Sequence, residues 1–443
     1  MRGQPRGVSE KAVKYFDDTA FELLQYVLVK PNIHYAPEKP VGSIQETETI
    51  KFSNVQKIVE QFGTSIYELD KGDKIGFSES DGEHFHKFVK NIHRIHPIHQ
   101  QVSKQFIEGL TFQWMITTKR NGKADCTFST HLLTKVEESM KDYNVFYLIH
   151  LLFIDKPFKV GSVEIGFFTK EYFRYFSELR KNQATKKDYE ELTKDYAGKV
   201  YAMCHVKAEI DRAKELAFEK CGLAVDVLKI CSDTLIVPSY VCSFEINLKL
   251  NRNIRNEIIV EELSEPKEIS FSLYGSGKPV VLNDQQMLEF KNRDLDTFSQ
   301  FLLALEGERS ELQNVIVLSI QRLSRAFSEK DLHQRIAELV SILEAVLLMN
   351  DTGNLMDSVC KYFCRLLHKD LASRESSIKL YKDFYAVRSA WVHHAKRDDF
   401  KEVELSIFQR SVHRILVVLI DKTKNHLTKE SVLLEIDKAM LSA

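Results

Sequence analysis

From about residue 295 to the end of the chain, apolar residues return almost wholly at helical spacing, so the last third can only be a set of packed helices. The segments are drawn at 297–326, 328–349, 355–369, 376–396, 402–424 and 429–441. In the second, Leu332, Ile336, Leu339, Leu343 and Val346 follow one face, and Ser328-Glu-Lys-Asp331 reads as a capping box at its start. The loop Asp351-Thr-Gly-Asn354 stops that helix. An amphipathic helix hides its stripe only against a neighbour, so such a succession implies a bundle.

The preceding residues are mixed in character. Residues 8–30 read as a helix, and Asn121-Gly122 between TFQWMITTKR and ADCTFSTHLL suggests a hairpin. Helical signals return over 161–230, where Ile210, Ala213, Ala217, Cys221 and Val225 share a spacing. The segments TLIVPSYVCSFEINLKL, NEIIVEEL, EISFSLYG and KPVVL then make 233–282 strand-rich. The expected fold class is therefore α+β. Its parts are a mixed N-terminal region at 1–160, a helix followed by strands at 161–295, and an all-α bundle at 296–443.

A chain of 443 residues has room for two or three domains, and its formal net charge of −1 excludes a chain-wide field drawing it to nucleic acid or anionic lipid. A polyanionic partner needs a local patch. The seven cysteines include no CxxC pair, which fits reduced thiols in a cytoplasmic protein. The N-terminus lacks the apolar stretch of a signal peptide, and the densest apolar run, Ile415 to Ile420, falls far short of the ~20 residues that span a bilayer. No membrane association is expected.

The chemistry concentrates in SSIKLYKDFYAVRSAWVHHAKR, residues 376–397. Ile378, Tyr381, Tyr385, Arg388 and Val392 recur at helical spacing, placing Arg388 in an otherwise apolar stripe. His393 and His394 follow near the helix end. Arginine supplies a fixed positive charge for a phosphate, and histidine titrates near neutral pH and can shuttle a proton. The same residues also admit a structural account: Arg388 held by a core carboxylate such as Glu344, with the histidines at helix C-terminal carbonyls.

The surroundings resemble the Apea-like branch of the HEPN superfamily. The likeness rests on Arg335 leading a helix with Leu343-Glu344-Ala345-Val346, on Arg365 in a middle helix, and on Tyr381 or Tyr385 ahead of Arg388-Ser389 and His393. It covers roughly the last third. The resemblance implies an Arg-x4–6-His ribonuclease motif formed by Arg388 and His393, with His394 also inside the spacing; Glu344, placed near the apolar face of its own helix, is expected to hold Arg388 across the helix pair. The family usually has a small residue, often Gly, directly after the histidine, and His394 departs from that. The implied reaction is attack of a ribose 2′-hydroxyl on its own 3′-phosphodiester, leaving 2′,3′-cyclic phosphate and 5′-hydroxyl ends, with no metal and no cofactor. It further implies a homodimer through the C-terminal helices, RNA such as tRNA as substrate, and prokaryotic anti-phage defence by abortive infection under a phage-derived trigger. A catalytically silent HEPN module that binds RNA or protein is the alternative.

Other signals are weaker. The histidines at 84, 86, 93, 96 and 99 invite a metal-dependent enzyme, yet match no HExxH or finger spacing, and a helix or loop with a solvated basic face fits better. Tyr274-Gly-Ser-Gly-Lys278 lacks the first glycine of a phosphate loop, since Ser272 stands there. The mixed charges of 179–195 read as a solvated helix or linker, and Trp114 and the aromatics near 166–176 read as core.

Overall fold

The computed structural model describes residues 8–30, 50–52, 55–59, 65–69, 74–77, 79–172, 193–194, 196–246, 257–261, 280–305, 307–349 and 355–441. The fold is α+β. The chain divides into two compact units, Met1–Tyr143 with Val206–Leu216, and Asn144–His205 with Ala217–Ala443.

In the first unit, helix α1 (Glu10–Leu24) starts at Ser9, whose hydroxyl accepts from the Ala12 amide. Strands β1 (Leu28–Lys30), β2 (Ile50–Phe52), β3 (Val55–Val59), β4 (Ser65–Leu69) and β5 (Lys74–Gly76) form an antiparallel sheet in the order β1-β5-β4-β3-β2. Helices α2 (Glu79–His93), α3 (His96–Gln101), α4 (Lys104–Asn121) and α5 (Phe128–Ser139) share with α1 a core containing Phe16, Phe85, Phe88, Phe112, Trp114 and Phe128. The hairpin expected around Asn121-Gly122 is instead a junction of two helices. Gly122, at φ 70°, is the left-handed residue that ends α4. The β-branched residues before it serve the helix: Thr111 and Thr117 hydroxyls donate to Ile107 and Gln113 carbonyls one turn back. Burial of Phe112, Trp114, Met115 and Ile116 overrides their strand preference.

The second unit holds strands β6 (Lys141–His150), β7 (Leu152–Ile154), β8 (Phe158–Val160), β9 (Val163–Phe167) and β10 (Val200–Ala208), then helix α6 (Ile210–Ile230) and strands β11 (Glu245–Ile246), β12 (Glu257–Glu261) and β13 (Val280–Leu282). Several of these elements cross the unit boundary along the chain: β6, β10 and α6. The sheet runs β11-β6-β10-β9-β8 with β12 beside β6, and β13 pairs parallel with β7. Of the strands expected from 233 onward, the described residues hold β11, β12 and β13, while the start of the first segment is not a strand. Asp233–Leu235 forms a 3₁₀ turn, and the EISFSLYG segment lies outside the described residues.

Helices α7 (Asp284–Asn292), α8 (Leu295–Ala304), α9 (Glu311–Ser328), α10 (Leu332–Leu347), α11 (Leu355–Leu367), α12 (Leu371–His394), α13 (Glu402–Lys422) and α14 (Lys429–Leu441) complete this unit. The single helix expected at 297–326 is thus two. A capping box does occur, but at Ser310 and Gln313, where α9 begins. Ser328 ends α9, and Asp331 caps α10 by accepting from the His333 amide. The sequence boundary at 295 falls inside the unit, because the β8–β9 hairpin is clasped to α8: the Gly161 amide donates to the Ser299 hydroxyl at 2.8 Å.

The bundle core runs through Ile316, Ile320 and Phe327 of α9, Ile336, Leu339 and Leu343 of α10, Phe363 of α11, Phe384 of α12, and Phe408, Val412 and Leu416 of α13. Phe384 and Phe408 stack at 4.7 Å. Inside this apolar layer lies a fully buried guanidinium. Arg335 donates to the carbonyls of Pro238, Tyr240 (3.3 Å) and Glu329 (2.6 Å) and to Gln409 Oε1 (3.4 Å). Gln409 in turn donates to the Thr234 carbonyl, and Ser406 to that of Ile236. The 234–240 segment is thereby satisfied by side chains of α10 and α13 rather than by a strand partner, which accounts for the missing ladder. Burial pushes the Arg335 guanidinium down to about 10, still protonated at neutral pH.

Replacing Arg335 by Leu strands these carbonyls, at about 1–3 kcal/mol for each buried group left unpaired. Arg335→Leu is therefore expected to destabilise the second unit by at least about 3 kcal/mol, and Arg335→Lys to recover little, because an ammonium lacks the fork that reaches several carbonyls. Urea unfolding measures both, and a loss below about 1 kcal/mol for Arg335→Leu would show that the carbonyls find other partners.

Candidate active site

Helix α12 carries the residues singled out from the sequence. It begins at Asp370, whose carboxylate accepts from the Ser373 amide, and it ends at Ala395, which takes a left-handed conformation at φ 48°. The Ala395 amide donates to the Trp391 carbonyl and the Lys396 amide to that of Ala390, so the last turn is closed by an αL-type cap. The buried face is Ser377, Tyr381, Phe384 and Val387. Arg388 stands on the flank of this face rather than within it, and Val392, expected in the same stripe, is 51% exposed.

Arg388 meets α10 through Glu344, with Nη2 to Oε2 at 3.7 Å and each side chain about one-fifth exposed. That separation is an ion pair without a hydrogen bond. The guanidinium carbon lies 5.9 Å from the Tyr385 ring, and its buried Nε has no partner among the described residues. Tyr381 is fully buried, and its hydroxyl is likewise unpartnered. Burial first, then the Glu344 carboxylate, pushes its phenol far above the ordinary range, so it stays neutral. Arg388 is thus held at one point and keeps donors to spend.

His393 and His394 occupy the last turn, both exposed, their rings 6.4 Å apart. At about 100° per residue, His393 is about 140° and His394 about 120° round the helix from Arg388, on opposite sides. Neither imidazole shares a helix face with the guanidinium. The chain beyond α12 is laid back onto the start of α10. There Arg397 pairs with Asp331 at 2.5 Å and stacks 5.1 Å from the Trp391 ring, and His333 Nε2 is 3.0 Å from the Asp398 carbonyl. Trp391 also faces the His333 ring at 5.6 Å and donates to Gln334. Sequence reasoning overlooked this clamp. Its readable trace was Trp391, the one large aromatic inside the Arg-to-His interval.

Of the other residues in the resemblance, Arg335 is the structural arginine described above, and Arg365 lies in the last turn of α11. The histidine-rich stretch forms α2 and α3 and is only partly a solvated face. His93 Nε2 lies 3.3 Å from His99 Nδ1, and Arg212 donates to His99 Nε2 at 3.0 Å. Burial first, and then the adjacent His99 and Arg212, lower the His93 imidazole to about 4. Among the described residues no group of three or more His, Cys, Asp or Glu is placed to hold a metal. Trp114 belongs to the core, as do Phe168 and Tyr172 beside Phe146 and Tyr201. The Tyr274–Lys278 segment and most of 179–195 lie outside the described residues. All seven cysteines are free thiols, and no described helix is long and apolar enough to cross a membrane.

Comparison of the chain with family models, with curated proteins and with solved structures finds no match.

The Tyr381 hydroxyl gives nothing to the folded state, since a buried donor without an acceptor is a cost. Tyr381→Phe is expected to leave stability unchanged or raise it by up to about 1 kcal/mol in urea unfolding. A loss above about 1 kcal/mol would reveal an acceptor for the hydroxyl.

Proposed function

We propose that the protein is a metal-independent HEPN-type endoribonuclease, with Arg388 binding the scissile phosphate and an imidazole at the end of α12 moving the proton. The observation that carries this reading is the close of α12. A half-buried arginine with unspent donors stands one to two turns before two exposed histidines, and the helix then stops at a small left-handed residue.

That stop bears on which histidine acts. The family resemblance implies a small residue directly after the catalytic histidine, and here Ala395 fills that place after His394. With five residues between it and Arg388, His394 lies within the motif spacing, so the assignment shifts toward His394, with His393 beside it as the second proton carrier. Glu344 and Tyr385 position the guanidinium. In the reaction one imidazole takes the 2′-hydroxyl proton while the attacking oxygen closes on phosphorus. Arg388 stabilises the charge gathering on the phosphoryl oxygens, and the 5′-oxygen leaves with a proton from an acid.

Arg388 and the histidines point to different sides of one helix, so one copy does not present both to the same phosphate. Two copies related by a two-fold axis can, with Arg388 of one facing the histidines of the other. A homodimer through the C-terminal helices follows from this reading. The first unit then selects RNA, tRNA being one class, or senses a phage-derived trigger, and the activity serves anti-phage defence in the cytoplasm.

Purified protein incubated with total tRNA in excess EDTA is expected to release 2′,3′-cyclic phosphate ends. Arg388→Ala and the double variant His393→Ala, His394→Ala are each expected to slow this by about 10²–10⁴. RNA that is bound but left intact, with the variants binding equally well, would assign the domain to recognition instead.

A further inference from the structure

The solvent face of α2 in the first unit carries cations that the fold does not spend. Lys87, Lys90 and Arg94 are exposed, and their side chains have no ion-pair or hydrogen-bond partner among the described residues. The Arg94 amide still bonds the Lys90 carbonyl, so the residue after α2 keeps the helical register. At about 100° and 1.5 Å per residue, Arg94 lies about 20° round the helix from Lys87 and about 10 Å along it, with Lys90 between them about 60° to one side. The three make one stripe. Glu83, exposed a turn before Lys87, forms no ion pair with it among the described residues.

On the other side of the stripe, about 40° from Lys87, Asn91 donates from Nδ2 to the Tyr15 hydroxyl at 3.0 Å. Tyr15 of α1 also meets the Phe88 ring edge-on at 6.0 Å, yet 39% of it stays exposed. An aromatic side chain fixed by two contacts from α2 and open to solvent is a stacking platform beside a row of charge. Lys11, a turn before Tyr15, and Lys14 are exposed as well, and neither pairs with Glu10 or Asp18. The whole chain carries a formal charge of −1, so this row is a local feature and not part of a general basic field.

Three cations along about 10 Å match about three phosphates of a stacked strand, at about 3.4 Å each. A lipid surface or an acidic peptide would engage the cations and leave the ring idle, whereas bases stack on it. We propose that this α1–α2 face binds single-stranded RNA, with Lys87, Lys90 and Arg94 on neighbouring phosphates and Tyr15 under a base. Backbone charge and stacking are both tolerant of sequence, so the grip is a general one. The proposal rests on the reading that RNA is what the chain acts on, and it gives the first unit its part in that.

Fluorescence anisotropy of labelled dodecauridylate on the full-length His393→Ala, His394→Ala protein, with the RNA checked to be intact, tests it. Binding is expected to saturate, and log Ka to fall against log salt with a slope of about −2 or steeper. Adding Lys87→Gln, Lys90→Gln and Arg94→Gln is expected to weaken it by about tenfold or more and to flatten the slope by about 2. Glutamine at Lys194, Lys291 and Lys424 removes as much charge elsewhere and is expected to leave affinity within about twofold. Tyr15→Leu is expected to weaken binding by about fivefold or more and Tyr15→Phe by less than about twofold, with circular dichroism unchanged throughout. Absence of saturable binding, equal losses from the two triple variants, or indifference to Tyr15→Leu would overturn the proposal. So would an α2 triple variant that loses phosphatidylserine vesicles while keeping the RNA. A wild-type chain that holds RNA through this face and leaves it whole contradicts the ribonuclease reading alone; one that cleaves RNA with affinity untouched by the α2 substitutions contradicts this proposal alone.

Discussion

A guanidinium placed where no water reaches must be surrounded by acceptors, and in this protein Arg335 organises much of the second unit by that requirement. It gathers the Glu329 carbonyl at the end of α9 and those of Pro238 and Tyr240, while Gln409 and Ser406 on α13 hold the same 234–240 segment from the other side. Three stretches far apart in sequence are thereby fixed to one helix. Because α10 is anchored at its first turn, its far end presents Glu344 to α12 in a defined place.

Helical periodicity made the C-terminal bundle legible. Segments 402–424 and 429–441 match α13 and α14 within two residues, because their stripes face a core on one side and water on the other. Caps were less legible: Ser328 and Asp331 sit three apart like a capping box, yet one ends a helix and the other begins the next. The Asn-Gly signal at 121–122 marked a real reversal, but a left-handed glycine ends a helix as readily as it turns a hairpin. At 233–242 the β-branched residues lie in a segment satisfied by buried side chains. No local pattern encodes a partner about 170 residues away, such as Ser406 for Ile236.

In the candidate site the sequence held the residue types and the Arg388–Glu344 pairing, which was weighed there as a core carboxylate holding the arginine and is present at 3.7 Å. What it could not convey was direction. Whether Arg388 and the histidines share a face depends on how far α12 continues, and a helix unbroken to His394 sends them to different sides. The same continuity gives the left-handed Ala395 its meaning, since it sets the end of the helix directly after His394.

The central claim is that each cleft takes its arginine from one copy and its histidines from the other, and subunit mixing tests it. Arg388→Ala protein is combined with the His393→Ala, His394→Ala protein, and RNA cleavage is followed after subunit exchange. Random exchange makes half of the dimers mixed, each with one intact cleft, so about one quarter of the wild-type rate should return. No recovery from two inactive parents, once mixed dimers are shown by mass to have formed, would contradict the shared cleft.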